Sequence, residues 1–343
     1  MRFKIHSNFR QTGGPDCLHQ LCGAVTHRGY YGAMIYPPVG YGLGVFKLYS
    51  DKYNIHNAET REDNLDDPDT VQVIPANWGA DWYPTDPNYP SCISIRGDNP
   101  YKSIKIMWWL GVTTWQNWAN GGREAEVDLG HPCLQNMYHA CQSQMAFDFL
   151  MSSNKINPEK IFLLRDYTSQ LFIHDEQQLE KTINHRENLI LYNPVKGMNV
   201  TNQIMNTCMG MDCKFVPIAN MTHEQMRDLG LKAKIYIDFG NFPGRDKIHR
   251  ELASCGCIII TGNEGAAANP IDVPNGPRKF YKTAGHYDLI AIRKQIKKDL
   301  SNYFDALYDD HMINYRTVVR LEKQTFEHDV ENMLQLLSAS NCG

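Results

Sequence analysis

Within residues 233–261 the chain reads AKIYIDFGNFPGRDKIHRELASCGCIIIT, and four side chains there, Arg245, Lys247, Arg250 and Glu251, are of types that handle ligands. A lysine ammonium is a compact positive charge, and an arginine fork can orient two phosphate oxygens together. A carboxylate accepts hydrogen bonds from hydroxyls but repels a second anion. Around them run an apolar stretch at 235–237, a loop rich in Gly, Pro and charge, a helix, and a second apolar stretch at 258–260. That strand, loop, helix, strand order puts the charge in a loop leaving a strand. In an α/β sheet such a loop faces the ligand crevice, beside a helix start whose N–H groups suit an anion. The four residues are therefore expected to form a ligand surface, although the same composition also suits an ordinary solvated connection.

A second place with chemical potential is RQTGGPDCLHQLCGAVTHRGY, which begins at Arg10. Gly13 and Gly14 allow a close backbone approach, and Pro15 suits a first helical turn. Leu18, Leu21, Cys22 and Val25 then recur at helical spacing, and Gly29 closes the helix before the strand AMIYPP. With the opening strand near Phe3 this predicts a βαβ start whose glycine turn lies at a strand end. Asp16 and His19 are three apart, so a helix can bring them to one face. The turn is neither a GxGxxG dinucleotide fingerprint nor a P-loop, because no GKS or GKT follows.

The elements that must position these residues follow from the apolar pattern. Runs at 71–74 and 104–110, a mostly apolar helix over 138–151 and a strand over 160–164 complete a first αβ domain. A charged stretch at 174–187 reads as linker. Beyond it come a strand at 188–192, a turn at 193–197, a helix at 200–208 and a strand at 214–218. Thr222 starts another helix with Gln225 at its capping-box position. The end of the chain from 314 to 337 carries apolar residues at amphipathic helical spacing, including Val319, Phe326, Val330 and Met333.

The 343 residues suit two domains of ordinary size, and 42% apolar with 21% charged residues predicts a folded chain. With 34 basic against 38 acidic side chains the formal net charge is −4, which gives no electrostatic case for a nucleic-acid surface. The start lacks a secretory apolar segment and no run has transmembrane length, so a cytoplasmic protein without an integral membrane segment is expected. Ten cysteines are scattered without disulfide-like spacing, and the pairs Cys255/Cys257 and Cys208/Cys213 do not match a structural zinc framework.

At this point a resemblance is carried by TGGPDCLHQLCGAV, IKIMWWLGV, YNPVKG, FVPI and DFGNFPGRDKIHRELASCGCIIITGNEGAA, which follow one another across nearly the whole length. In this order they resemble two-domain glycosyltransferases of the GT-B type, close to a group found in bacteria and large DNA viruses. A viral chain would work in the host cytoplasm. The resemblance implies an α/β fold with two Rossmann-like domains in a GT-B arrangement and an interdomain cleft. Residues 1–180 would form the acceptor-side domain and 181–325 the nucleotide-sugar domain, with a terminal helix over 326–343 crossing to the first. It implies a donor that is a nucleoside diphosphate sugar, UDP- or GDP-linked, and an oligosaccharide or glycan acceptor.

Residue by residue, Lys196 in YNPVKG takes the place of the phosphate-binding lysine, while the arginine that often accompanies it is absent. Glu251 resembles the second glutamate of a pair separated by seven residues and would bind the donor ribose hydroxyls. Pro243 stands at the first acidic position, so the pair is incomplete. Lys196 and Arg245 are the expected diphosphate contacts, followed by Lys247 and Arg250, with Arg245 following the leaving charge. On the acceptor side Gly13 and Gly14 would admit a sugar, and Asp16 or His19 would orient a hydroxyl or accept its proton. No metal and no cofactor are expected, because a cationic site can stabilise the leaving diphosphate. The stretch Asp66, Asp67, Pro68, Asp69 reads as a surface turn rather than a DxD metal motif. The alternatives are a noncatalytic nucleotide-sugar or glycan binder, to which Pro243 gives weight, and a NAD-dependent oxidoreductase, which lacks its fingerprint.

Overall fold

Among the described residues the strands of two sheets pair in parallel. The computed structural model describes residues 1–7, 12–36, 42–59, 67–76, 102–112, 129–130 and 132–340. The chain divides into two units, one of Met1–Asp166 with Gln324–Gly343 and one of Tyr167–Lys323.

In the first unit the strands are β1 (Arg2–His6), β2 (Tyr31–Ile35), β3 (Ala58–Glu59), β4 (Thr70–Pro75), β5 (Ile104–Trp109), β6 (Tyr138–Cys141) and β7 (Ile161–Leu163). They form a parallel sheet in the order β3-β2-β1-β4-β5-β6-β7. Every residue of β4 is buried. Such continuous burial is expected of a parallel strand covered on both faces. Helices α1 (Gly13–His27) and α2 (Gly42–Tyr53) follow β1 and β2.

The expected helix over 138–151 is two elements. Tyr138–Cys141 is β6, paired with both β5 and β7. Ser143 then caps α3 (Gln144–Ser153) by accepting from the Ala146 N–H at 3.1 Å. A short apolar run is compatible with either a buried strand or a buried helix, and Ser143 was the overlooked boundary.

In the second unit β8 (Glu187–Tyr192), β9 (Lys214–Pro217), β10 (Ala233–Asp238) and β11 (Ile258–Thr261) form a parallel sheet in the order β11-β10-β8-β9. Helices α4 (Glu176–Glu180), α5 (Met198–Thr207), α6 (His223–Lys232), α7 (Ile248–Ser254), α8 (Leu289–Ser301), α9 (Tyr303–Leu307) and α10 (Asp310–Ser340) complete the helices used below. The reciprocal capping box of Thr222 and Gln225 is present at α6.

The stretch expected as linker at 174–187 is built into this unit. Asp175 and Gln178 cap α4 reciprocally, and Leu179 is buried. Arg186 donates to the carbonyls of Gly230, Ala233 and Cys255 at 2.6–3.0 Å. Charge suggested solvent there, but a guanidinium with several donors can satisfy buried carbonyls instead. The carboxyl-terminal segment is one helix of 31 residues, α10, whose residues to Lys323 belong to the second unit and from Gln324 to the first. Among the described residues no helix is long and apolar enough to cross a membrane.

Candidate functional site

The order of the second sheet reverses between β8 and β10. From β8 the chain crosses to β9 on one side, and from β9 it returns to β10 on the other. Connections that diverge in this way leave a crevice at the carboxyl ends of the two strands, where ligands of doubly wound sheets bind. Two loops meet at that position. One, after β8, carries Lys196 and Gly197 into α5; the other, after β10, carries Phe239 to Lys247 into α7.

Glycine makes the meeting possible. Gly197 has φ 69° and is the N-cap of α5, whose first turn has no side-chain cap. The Val200 amide bonds the Gly197 carbonyl at 3.2 Å, which leaves the Met198 and Asn199 amides of that turn to face an anion. A Cβ on Gly197 would fall 2.5 Å from the Gly240 nitrogen, and one on Gly240 would fall 2.6 Å from Lys196 Cγ. The lysine stem thus lies directly over Gly240.

Lys196 Nζ is 3.3 Å from Asp238 Oδ2 and is also ion-paired with Asp246. It donates to the Asn241 carbonyl at 3.3 Å and lies 3.8 Å from the centre of the Phe242 ring. Burial pulls the lysine pKa down, but the nearby Asp246 and Asp238 carboxylates outweigh it and raise it, so the ammonium stays charged. Asp238 is held by the Tyr236 hydroxyl at 2.9 Å and the Gly240 N–H at 3.0 Å. Burial raises the Asp238 pKa against the pull of Lys196.

Two cations of the PGRDKIHRE segment, Arg245 and Arg250, share the carboxylate of Glu322. Arg250 is fully buried and its guanidinium donates to the Asp246 carbonyl at 3.0 Å, the Arg245 carbonyl at 3.1 Å and Glu322 at 2.9 Å. Those bonds engage each of its three nitrogens and tie Arg250 into the loop. Arg245 is 8% exposed and donates to the other Glu322 oxygen at 2.8 Å. Lys247 is the N-cap of α7, and its carbonyl accepts from the Arg250 and Glu251 amides at 2.9 Å. Glu251 lies one position beyond Arg250 on α7 and is 5% exposed.

In the first unit, Gly13 and Gly14 open α1, after β1. Sheet order reverses there too, between β1 and β4. Asp16 accepts from the Tyr53 hydroxyl at 2.6 Å and pairs with Lys52 at 3.1 Å. His19 has other partners: Nδ1 faces the Pro15 carbonyl and Nε2 the Tyr36 hydroxyl, both at 2.5 Å. A carbonyl only accepts, so Nδ1 carries the proton and Nε2 accepts from Tyr36. Burial lowers the His19 pKa to about 4. No hydrogen bond joins Asp16 to His19 among these contacts; the helix brings them near, but each is engaged elsewhere.

Four residues of the second-unit site were not anticipated from sequence: Asp238, Phe242, Asp246 and Glu322. Asp246 lies within PGRDKIHRE, flanked by Arg245 and Lys247. Glu322 is 72 residues from Arg250 along the chain and has no local signature. Asp67 and Asp69 do form a turn, with the Asp69 N–H donating to Asp67 Oδ1 at 2.9 Å, while Asp66 lies outside the described residues. Among the described residues no group of three or more His, Cys, Asp or Glu is arranged to hold a metal ion.

No family model matches the chain, and no curated protein matches it by sequence. Solved structures do match its fold from end to end. A glycosyltransferase from Rickettsia africae superposes with TM-score 0.60 at 13% identity, covering 98% of each chain. Anabaena HepE in complex with UDP superposes with TM-score 0.61 at 11% identity, covering 100% of each. The chain has the GT-B fold. A sucrose-phosphate synthase from Thermosynechococcus elongatus shares it as well, with TM-score 0.61 at 11% identity over 99% of this chain and 100% of that one. In GT-B terms the two units are its two Rossmann-like domains.

Proposed function

We propose that the protein is a glycosyltransferase that moves a sugar from a nucleoside diphosphate sugar to a hydroxyl of a glycan. The observation that carries this reading is Lys196, held at the reversal point of the second sheet beside the uncapped start of α5, in a chain whose fold matches glycosyltransferases over its full length. A diphosphate placed there would meet one ammonium and the Met198 and Asn199 amides at the start of α5. As the bond from sugar to phosphate breaks, negative charge grows on the departing oxygen, and fixed donors stabilise it more than they stabilise the intact donor. Glu251 is the proposed partner of the donor ribose hydroxyls, and Arg245 holds the loop in shape through Glu322. Lys247 remains a secondary proposal.

On the acceptor side the α1 start, with Gly13, Gly14 and Asp16, is the proposed surface. Asp16 already accepts from Tyr53 and Lys52, which fixes its oxygens and would aim its remaining acceptor capacity at a hydroxyl. His19 stays neutral, with its acceptor nitrogen taken by Tyr36, so it orients α1 instead of serving as the base. The reaction is proposed to run without a metal, and activity should survive thorough chelation; a strict, reversible requirement for a divalent ion would contradict this.

The test is a donor and acceptor screen by mass spectrometry, with UDP- and GDP-sugars against a panel of glycans. Transfer of a sugar mass to a glycan is the expected result. Saturable donor binding with no transfer to any acceptor would instead favour a binding protein, the reading to which Pro243 at the first acidic position gives weight.

A further inference from the structure

The lysine of the proposed phosphate site is already paired with the protein's own carboxylates. Lys196 has two acidic partners, and they differ in how firmly they are held. Asp238 has a side chain only 3% exposed, and it is tied to the Tyr236 hydroxyl and the Gly240 amide. Asp246 has a side chain 32% exposed and sits in the loop before α7. Lys196 itself is kept in place by Gly240 beneath its stem and by the Phe242 ring. Of these three groups, Asp246 is the one with room to leave.

Resting on the donor reading above, we propose that Asp246 holds the phosphate position on Lys196 while the donor site is empty, and that a nucleoside diphosphate binds by taking its place. The exchange means that the half-buried ammonium is paired both before and after binding, so neither state contains a bare charge. It also makes Asp246 a specificity residue. A ligand must bring enough negative charge to outcompete a carboxylate that is covalently tethered beside the lysine, and the displaced carboxylate then repels whatever anion replaced it. A neutral nucleoside can do neither, and it gains nothing from the lysine.

The arrangement predicts a variant that binds better than the natural chain. Asp246→Asn removes the competing charge and keeps the shape, so pyrophosphate and UDP should bind the full-length protein at least about fivefold tighter, while uridine binding is unchanged. Asp246→Glu, which keeps the charge, should restore ordinary affinity, and Asp246→Ala should repeat the gain if the asparagine variant folds poorly. The gain should vanish when Lys196→Ala is added. Calorimetry with the three probes, on variants whose melting curves show that they are folded, decides the matter. Unchanged or weaker diphosphate binding by both folded Asp246→Asn and Asp246→Ala, with Lys196→Ala still weakening UDP, would overturn the exchange but leave the donor site standing. UDP binding indifferent to Lys196→Ala would remove both.

Discussion

Lys196 and Gly240 act as a pair, because the lysine stem occupies the space where any other residue at 240 would put its first carbon. A Cβ at Gly240 would sit 2.6–2.9 Å from Lys196 Cγ, Cδ and Cβ. Gly240→Ala should therefore push the lysine out of line and weaken UDP binding by roughly tenfold, while the melting temperature shifts little because the stem is flexible. Undiminished affinity in calorimetry would show that the close approach is incidental. Histidines carry a second prediction. Burial lowers His19 and His139 to about 4 from an ordinary 6.5. At His139, Nε2 donates to the Leu134 carbonyl and Nδ1 accepts from the Trp109 indole N–H, so an added proton would face a donor. Between pH 6.5 and 4 the unfolded chain takes up these protons and the folded chain does not, so stability falls with acidification, by up to about 3 kcal/mol for each histidine. Denaturant melts across that range should show the loss, smaller in His139→Gln; imidazole resonances titrating near pH 6.5 would contradict it.

At the scale of elements, the loop after β10 keeps its shape through a residue on another helix. Glu322 of α10 accepts from Arg245, Arg250 and the Thr168 amide. Glu322→Ala would leave two buried guanidinium groups short of their carboxylate, and a cost of about 3–5 kcal/mol is expected in denaturant unfolding. A loss under 1 kcal/mol would mean that other acceptors replace it. This contact also marks the limit of what the sequence discloses. The strand and helix order of the second unit was legible because apolar runs, Gly197 and the Thr222 capping box are local signals. The turn that carries Lys196 was legible because a turn after a strand is local too, whereas the phosphate role proposed for the lysine comes from the resemblance. The 138–151 segment was misread because a run as short as Tyr138–Cys141 fits either a strand or a helix. Glu322, and the consumption of Arg250 by it, were invisible because they depend on a tertiary meeting with no periodic trace.

Over the whole molecule, α10 supplies both units. Phe326, Val330, Met333 and Leu337 are each no more than 1% exposed, and Asp329 pairs with Arg165 at 2.7 Å, all within the first unit. Ending the chain after Thr325 removes those side chains, each worth roughly 1.5–3 kcal/mol of burial. Hydrogen exchange should then show lost protection across the first unit and retained protection in β8, β10 and β11; unchanged protection in the first unit would contradict the prediction. The central claim is that Lys196 receives the diphosphate of a sugar donor in a transfer reaction. The most direct measurement compares sugar transfer by the natural chain and by folded Lys196→Ala, with the cognate donor and acceptor. Transfer by the first, and a rate at least about a hundredfold lower with weakened UDP binding in the second, is the predicted result. Equal rates and equal UDP affinity in the two proteins would contradict it.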